Sequence, residues 1–169
     1  MNMSRNVIKV CLFAICLFCI NNCGFKPIYK LSEGSAGLKN YSVSINRENN
    51  ISREIKEEIK KSFPSNSAAE EDYIIEIFVI QNLDPLITNT DGTIAKYRVE
   101  VLINFKVKDK KNSKYLIEDM ARGFAQYTVE TSEVESNDKK KRMIRNATNA
   151  AIQMMISKIQ NTISITNDN

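Results

Sequence analysis

The 169-residue sequence predicts an α+β domain: a four-stranded, largely antiparallel sheet with two helices packed on one face, in the order strand, helix, strand, strand, strand, helix. Three observations carry that expectation. Residues from Ala95 to Lys108 alternate apolar and polar without a break, the period of a strand with one buried face. Two segments on either side repeat apolar residues at helical spacing, Ile51, Ile55, Ile59 and Phe63 in one, Ile144, Ala147, Ala151, Met155 and Ile159 in the other. All four cysteines, Cys11, Cys16, Cys19 and Cys23, lie in the first stretch of the chain, so the remainder is held by an ordinary apolar core and not by a disulfide framework.

The chain begins with Arg5 and Lys9 ahead of an apolar run from Val10 to Ile20, which ends at Asn21, Asn22 and Cys23. That run has the ~7–15-residue length of an export-signal core and is short of the ~20 residues a membrane-spanning helix needs. Cys23, followed by Gly24 and Phe25, resembles the site at which bacterial lipoproteins are cut and acylated, with Asn22 where such sites usually carry Gly, Ala or Ser. Cys16 and Cys19 follow the bulky Ile15 and Phe18, which leaves Cys23 as the lipidation site. Residues 1–22 are then a signal peptide and 23–39 a lipidated tether, with Pro27, Gly34, Ser35 and Gly37 breaking any regular period.

A single domain is expected over residues 40–163. Tyr41, Val43 and Ile45 alternate with Ser42, Ser44 and Asn46 as a first strand. Asn49 or Asn50 is the expected cap of the first helix, whose Ile51, Ile55, Ile59 and Phe63 make a narrow stripe ending at Pro64. Its other positions hold opposite charges four apart, Arg53 with Glu57 and Glu57 with Lys61, as on a solvated face. A second strand over 72–82 puts Tyr73, Ile75, Ile77 and Val79 on one side, and Asp84-Pro85 is expected to end it. Asp91-Gly92 marks a turn.

The third strand sets Ala95, Tyr97, Val99, Val101, Ile103, Phe105 and Val107 on one face and Lys96, Arg98, Glu100, Leu102, Asn104, Lys106 and Lys108 on the other. A fourth runs from about Leu116 to Thr131, with Ala121, Ala125, Tyr127 and Val129 against Arg122, Gln126, Thr128 and Glu130, and chain proximity pairs the two as a hairpin. At ~3.3 Å per residue the third strand reaches roughly 45–50 Å, beyond the ~40 Å of a compact domain of this size, so it either bends at a bulge, with Gly123 the candidate, or projects. The last helix is expected from Ser136 or Asn137 to about Ile163, its central line widened by Ile152, Met154 and Ile163. Asn146, Asn149, Gln153 and Gln160 make its back polar yet uncharged, and residues 164–169 are expected to form a frayed tail.

Composition narrows the chemistry. With 24 Lys+Arg against 20 Asp+Glu the net charge is +4, and Arg5 and Lys9 of the leader account for half of that excess. This is no nucleic-acid signature. Histidine is absent and no thiol remains beyond Cys23, so the commonest general base and the commonest metal ligands are missing, and neither an enzyme nor a metal or cofactor site is expected. Asp91, Glu118, Asp119 and Glu130 are the acids near strand ends, and no spacing pairs them.

The start Cys23-Gly24-Phe25 with Pro27 and Tyr29, the Tyr97-Arg98 opening of a long alternating strand that ends at Asp109, the set Gly123, Ala125, Tyr127 and Thr128, and the closing alanine-bearing helix together resemble the LPS-assembly lipoproteins of the outer-membrane lipopolysaccharide translocon, in their alphaproteobacterial form. The resemblance spans nearly all of the chain after Cys23. It implies a non-enzymatic lipoprotein at the outer membrane, anchored by the lipid on Cys23, with its domain on the periplasmic side within the lumen of a β-barrel LPS-assembly protein. There it would plug the barrel, help it assemble, and meet lipopolysaccharide. Gly24 is compatible with sorting to the outer membrane. On this reading Lys96, Arg98, Lys106, Lys108 and Arg122 form a basic strip for lipid A phosphates, which Arg grips in a bidentate way and Lys as a point charge, with Leu102 and Phe124 as apolar surface beside it. The alternative is an auxiliary lipoprotein of an inner-membrane lipid transporter, which also carries a small α/β domain on a lipid tether.

Overall fold

The computed structural model describes residues 41–46, 51–63 and 72–167. The signal peptide, Cys23, the tether, Asn49, Asn50 and Pro64 lie outside them. The elements run β1 (Tyr41–Ile45), α1 (Arg53–Ser62), β2 (Tyr73–Thr88), β3 (Ile94–Asp109), β4 (Tyr115–Thr128) and α2 (Glu133–Asn167). The four strands lie in sequence order, with β1 parallel to β2 and the other neighbours antiparallel. α1 is therefore the crossover that a parallel pair requires.

Strict alternation along β3 decides which face is the core. Val99, Val101, Ile103, Phe105 and Val107 are buried, and in register with them stand Ile75, Ile77 and Val79 of β2 and Ile117 and Ala121 of β4, while the buried Tyr127 stacks on Tyr97 opposite it. The helices close that face with Ile55 and Ile59 of α1 and Ile144, Ala147, Ala151, Ile152, Met155, Ile156 and Ile159 of α2. Tyr41 joins from β1, its ring edge-on to Phe63 at 6.3 Å. Met154, expected to widen the apolar line of α2, is exposed, and Ile156 takes that place.

β2 does not stop at Asp84-Pro85 but runs on to Thr88, with register shifts after Pro85. The Ile77 carbonyl accepts the Asn46 N–H at 2.9 Å, so the odd-numbered backbone groups of β2 point away from β3. Pro85 is odd-numbered, and the N–H it lacks would have pointed to the outer edge of the strand. Proline is tolerated in that setting.

Gly123 is not a bulge either. It pairs regularly with Val101, and the register shift between β3 and β4 falls at Val107 and Lys108. What demands glycine there is α2: an added Cβ would collide with the Ala147 carbonyl oxygen and come within 2.6 Å of the Ala151 nitrogen. The alanine line of the helix and the missing side chain on the strand let the two backbones touch.

Both helices start where serine, not asparagine, stands. Ser52 precedes α1 in an extended conformation, with no side-chain cap bond. Ahead of α2, Ser132 accepts the Glu135 N–H on its Oγ at 3.4 Å and the Ser136 N–H on its carbonyl at 3.0 Å. Ser132 and Glu135 thus have the spacing of a capping box. Ser136, expected as the cap, instead turns its hydroxyl back to the Glu130 backbone. Ion pairing of Lys139 with Glu130 ties the same corner. At its far end α2 continues past Ile163 to Asn167, into the stretch expected as a frayed tail, where no proline or glycine stands to stop it.

Candidate functional site

The helices cover one face of the sheet and leave the other open, and the open face carries every residue the sequence assigned to a basic strip. Cross-strand register turns that strip into rows: Ile87–Lys96–Thr128, Asp84–Arg98–Gln126, Ile80–Leu102–Arg122 and Glu76–Lys106–Glu118. Lys108 lies one pleat beyond, opposite Tyr115 after the register shift.

Those rows divide the strip. Lys106 Nζ sits 2.7 Å from Glu118 Oε1, and that hydrogen bond raises its pKa above the usual lysine value. Its ammonium and that of Lys108 also lie over the Tyr115 ring, at 5.5 and 5.8 Å from the centroid. At the other end Arg98 binds Asp84 at 3.1 Å and extends its guanidinium to 6.0 Å from the Phe124 ring centre. Arg122 contacts the Met120 sulfur, and neither it nor Lys96 forms an ion pair among the described residues. Eight residues separate Arg98 from Lys106, roughly 26 Å along the strand, so one small anion cannot touch both ends. Glu76, Asp84, Glu100 and Glu118 share the face with the five cations, and Asn82 donates to Glu100 at 3.0 Å. The strip is a mixed surface with cations at one end, Lys96 and Arg98, and Arg122 midway along it, level with Leu102.

Between the ends, large apolar side chains stand among Glu100, Asn104 and Arg122. Phe124 is 52% exposed, and Phe78, Ile80 and Met120 are each more than a third exposed. Sequence reasoning places Leu102 and Phe124 here but misses the other three. The signal for Phe78 and Ile80 lies in the second strand, where apolar residues stand at both parities on either side of Glu76; once Ile75, Ile77 and Val79 are buried, Phe78 and Ile80 must face out, while Met120 shares the parity of Arg122 and Phe124 in the fourth strand. A groove of about 630 Å³ crosses this face where β1 ends, with Ser44, Glu76, Phe78, Asn104, Lys106 and Met120 among its walls.

The four acids near strand ends are each occupied locally. Asp91 Oδ1 accepts the N–H and hydroxyl of Thr93 and so closes the hairpin turn. Glu118 holds Lys106, Glu130 holds Lys139, and Asp119 binds Lys158 of α2 at 2.8 Å. That last contact pins the helix to the edge of β4 and lowers the Asp119 pKa.

A family model described as LptE, lipopolysaccharide-assembly, matches residues 38–159. A comparison with curated protein sequences finds no match. Solved structures with the same fold include a lipoprotein of Caulobacter crescentus CB15 (10% identity, 78% of this chain and 96% of that one, TM-score 0.60). Others are a lipoprotein B of Nitrosomonas europaea (13% identity, 78% and 90%, TM-score 0.56) and the rare lipoprotein B of Shewanella oneidensis (14%, 78% and 100%, TM-score 0.50). At such identities the likeness is one of fold.

Proposed function

The chain belongs to the LptE lipopolysaccharide-assembly family, and from that premise we propose that it is an outer-membrane lipoprotein, acylated at Cys23, that plugs and helps assemble a β-barrel lipopolysaccharide translocon and meets lipopolysaccharide on its open sheet face. It works by binding, without a catalytic step. The observation that carries the reading is the open face: four large apolar side chains, Phe78, Ile80, Met120 and Phe124, stand more than a third exposed beside the cations Arg98 and Arg122. An apolar area of that kind marks a binding surface, and one flanked by cations suits an amphiphile with acyl chains and phosphates. Lys96 and Arg122 are the phosphate contacts of first choice, because Arg98 and Lys106 are already paired with Asp84 and Glu118 and Lys108 lies with Lys106 at the other end.

The outer face of α2 supports the plug. Beyond the exposed Arg142 and Arg145 that face loses its charge: Asn146 and Asn149 are exposed, and Gln153 and Gln160 half-exposed. An uncharged polar helix face suits the water-filled lumen of a large barrel. Purification of the tagged, lipidated protein from membranes tests this part: the barrel protein is expected to come with it. An inner-membrane ATPase in its place would favour the lipid-transporter alternative.

Charge reversal at Lys96 and Arg122 together tests the lipopolysaccharide contact, since neither forms an ion pair among the described residues and the fold has no call on their charge. Binding of lipopolysaccharide is expected to weaken, with a smaller dependence on salt than in the unaltered protein. The thermal melt and barrel co-purification are expected to be unchanged. Undiminished binding would confine the protein to plugging and assembly.

A further inference from the structure

We propose that the groove at the β1 end of the open face is a saccharide site that takes an uncharged sugar ring. The proposal rests on the reading of that face as the one that meets lipopolysaccharide, and names the part of the molecule the groove would hold.

Phe78, Asn104 and Met120 form one row across β2, β3 and β4. Asn104 is the shortest of the three, so the row is notched, with an amide at the floor and an apolar wall on each side. The adjoining row is Ser44, Glu76, Lys106 and Glu118. Lys106 is paired with Glu118 at 2.7 Å, and Glu76 offsets Lys108, whose ammonium stands over the Tyr115 ring, which leaves this end of the face without net charge to hold a phosphate. Carboxylate, amide and hydroxyl groups are instead what sugar hydroxyls need, because each hydroxyl both donates and accepts. The Phe78 ring offers a flat apolar surface for the C–H face of a pyranose. A groove of about 630 Å³ is of the size that holds small ligands. Asn104 and Arg98 are six residues apart on β3, roughly 20 Å, so a phosphorylated glycolipid lying along the strand would set sugar in the groove and phosphate at the basic end.

The test uses the full-length protein in detergent micelles, with a lipopolysaccharide core oligosaccharide stripped of lipid A and phosphate as the probe, read by saturation-transfer NMR and calorimetry. The unaltered protein is expected to bind it. Asn104→Leu, which fills the notch, and Phe78→Ala, which removes a wall, are each expected to weaken binding about tenfold or more. Lys96→Glu, eight residues along β3 from Asn104, is expected to leave it unchanged. Should Asn104→Leu fail to fold, Met120→Ala at an exposed position carries the same expectation. No binding by the unaltered protein, or equal binding by folded Asn104→Leu and Phe78→Ala, overturns the proposal. If intact lipopolysaccharide binds and the oligosaccharide does not, the saccharide site falls and the open-face reading stands. If the oligosaccharide binds and intact lipopolysaccharide does not, the groove is a sugar site and the wider reading of the face falls.

Discussion

Gly123 lies where α2 presses on β4, and a methyl group there meets the Ala147 carbonyl and the Ala151 nitrogen. Backbone cannot swing aside as the tip of a side chain can, so Gly123→Ala is expected to cost about 1–3 kcal/mol, read as a lower denaturation midpoint. Gly92 differs in kind. It has open space around it but a φ of 84°, so Gly92→Ala is expected to cost about 1–2 kcal/mol through the backbone alone. The two faces of the sheet separate as sharply: Phe105 is 1% exposed and Phe124 52%. Phe105→Ala is expected to cost about 3–5 kcal/mol, and Phe124→Ala no more than about 0.5 kcal/mol; equal losses would show the register wrong by one residue. The Asp119–Lys158 pair gives a pH dependence whose sign is set by the lowered Asp119 pKa. Its stabilisation is complete above the unfolded-chain value and is lost as pH falls through the folded value. Both side chains are more than a third exposed, so Lys158→Met is expected to remove less than about 1 kcal/mol of ion-pair stabilisation at neutral pH, and in acid below the folded value only the Lys158 bond to the Met120 carbonyl is left to lose. At this scale the sequence marked Gly123 as special without saying why, because the reason is a helix twenty-four residues further on.

Element types were legible and element ends were not. The alternation of β3 and the apolar lines of α1 and α2 are properties of the local chain, and each appears where its period put it. Ends depend on what the flanking backbone bonds to. Ser132→Ala is expected to cost about 1 kcal/mol by removing the cap of α2, and Asn137→Ala close to nothing. That cap was within reach of the sequence, in the Ser132 to Glu135 spacing. The continuation of β2 through Pro85 was not, since it depends on which way odd-numbered backbone groups point, a matter decided by the pairing of β1 with β2.

At the scale of the whole molecule, α1 and α2 close one face of the sheet and leave an amphipathic surface on the other. Period-two alternation was enough to put Lys96, Arg98, Lys106, Lys108 and Arg122 on that second face. It could not show which of them are spent on neighbours, because Glu118 and Asp84 come from strands whose register is set only by folding. The large apolar side chains among them were half legible for the same reason. If the open face meets lipopolysaccharide while the outer face of α2 meets the barrel, the two surfaces can be addressed separately in one experiment. A photo-crosslinking amino acid placed at Phe124 on the open face, or at Met154, which is 46% exposed on α2, reports which molecule lies against each in living cells. The expected result is a lipopolysaccharide adduct from position 124 and a protein adduct, without lipopolysaccharide, from position 154. Lipopolysaccharide captured from position 154 and not from 124 would contradict that division of surfaces.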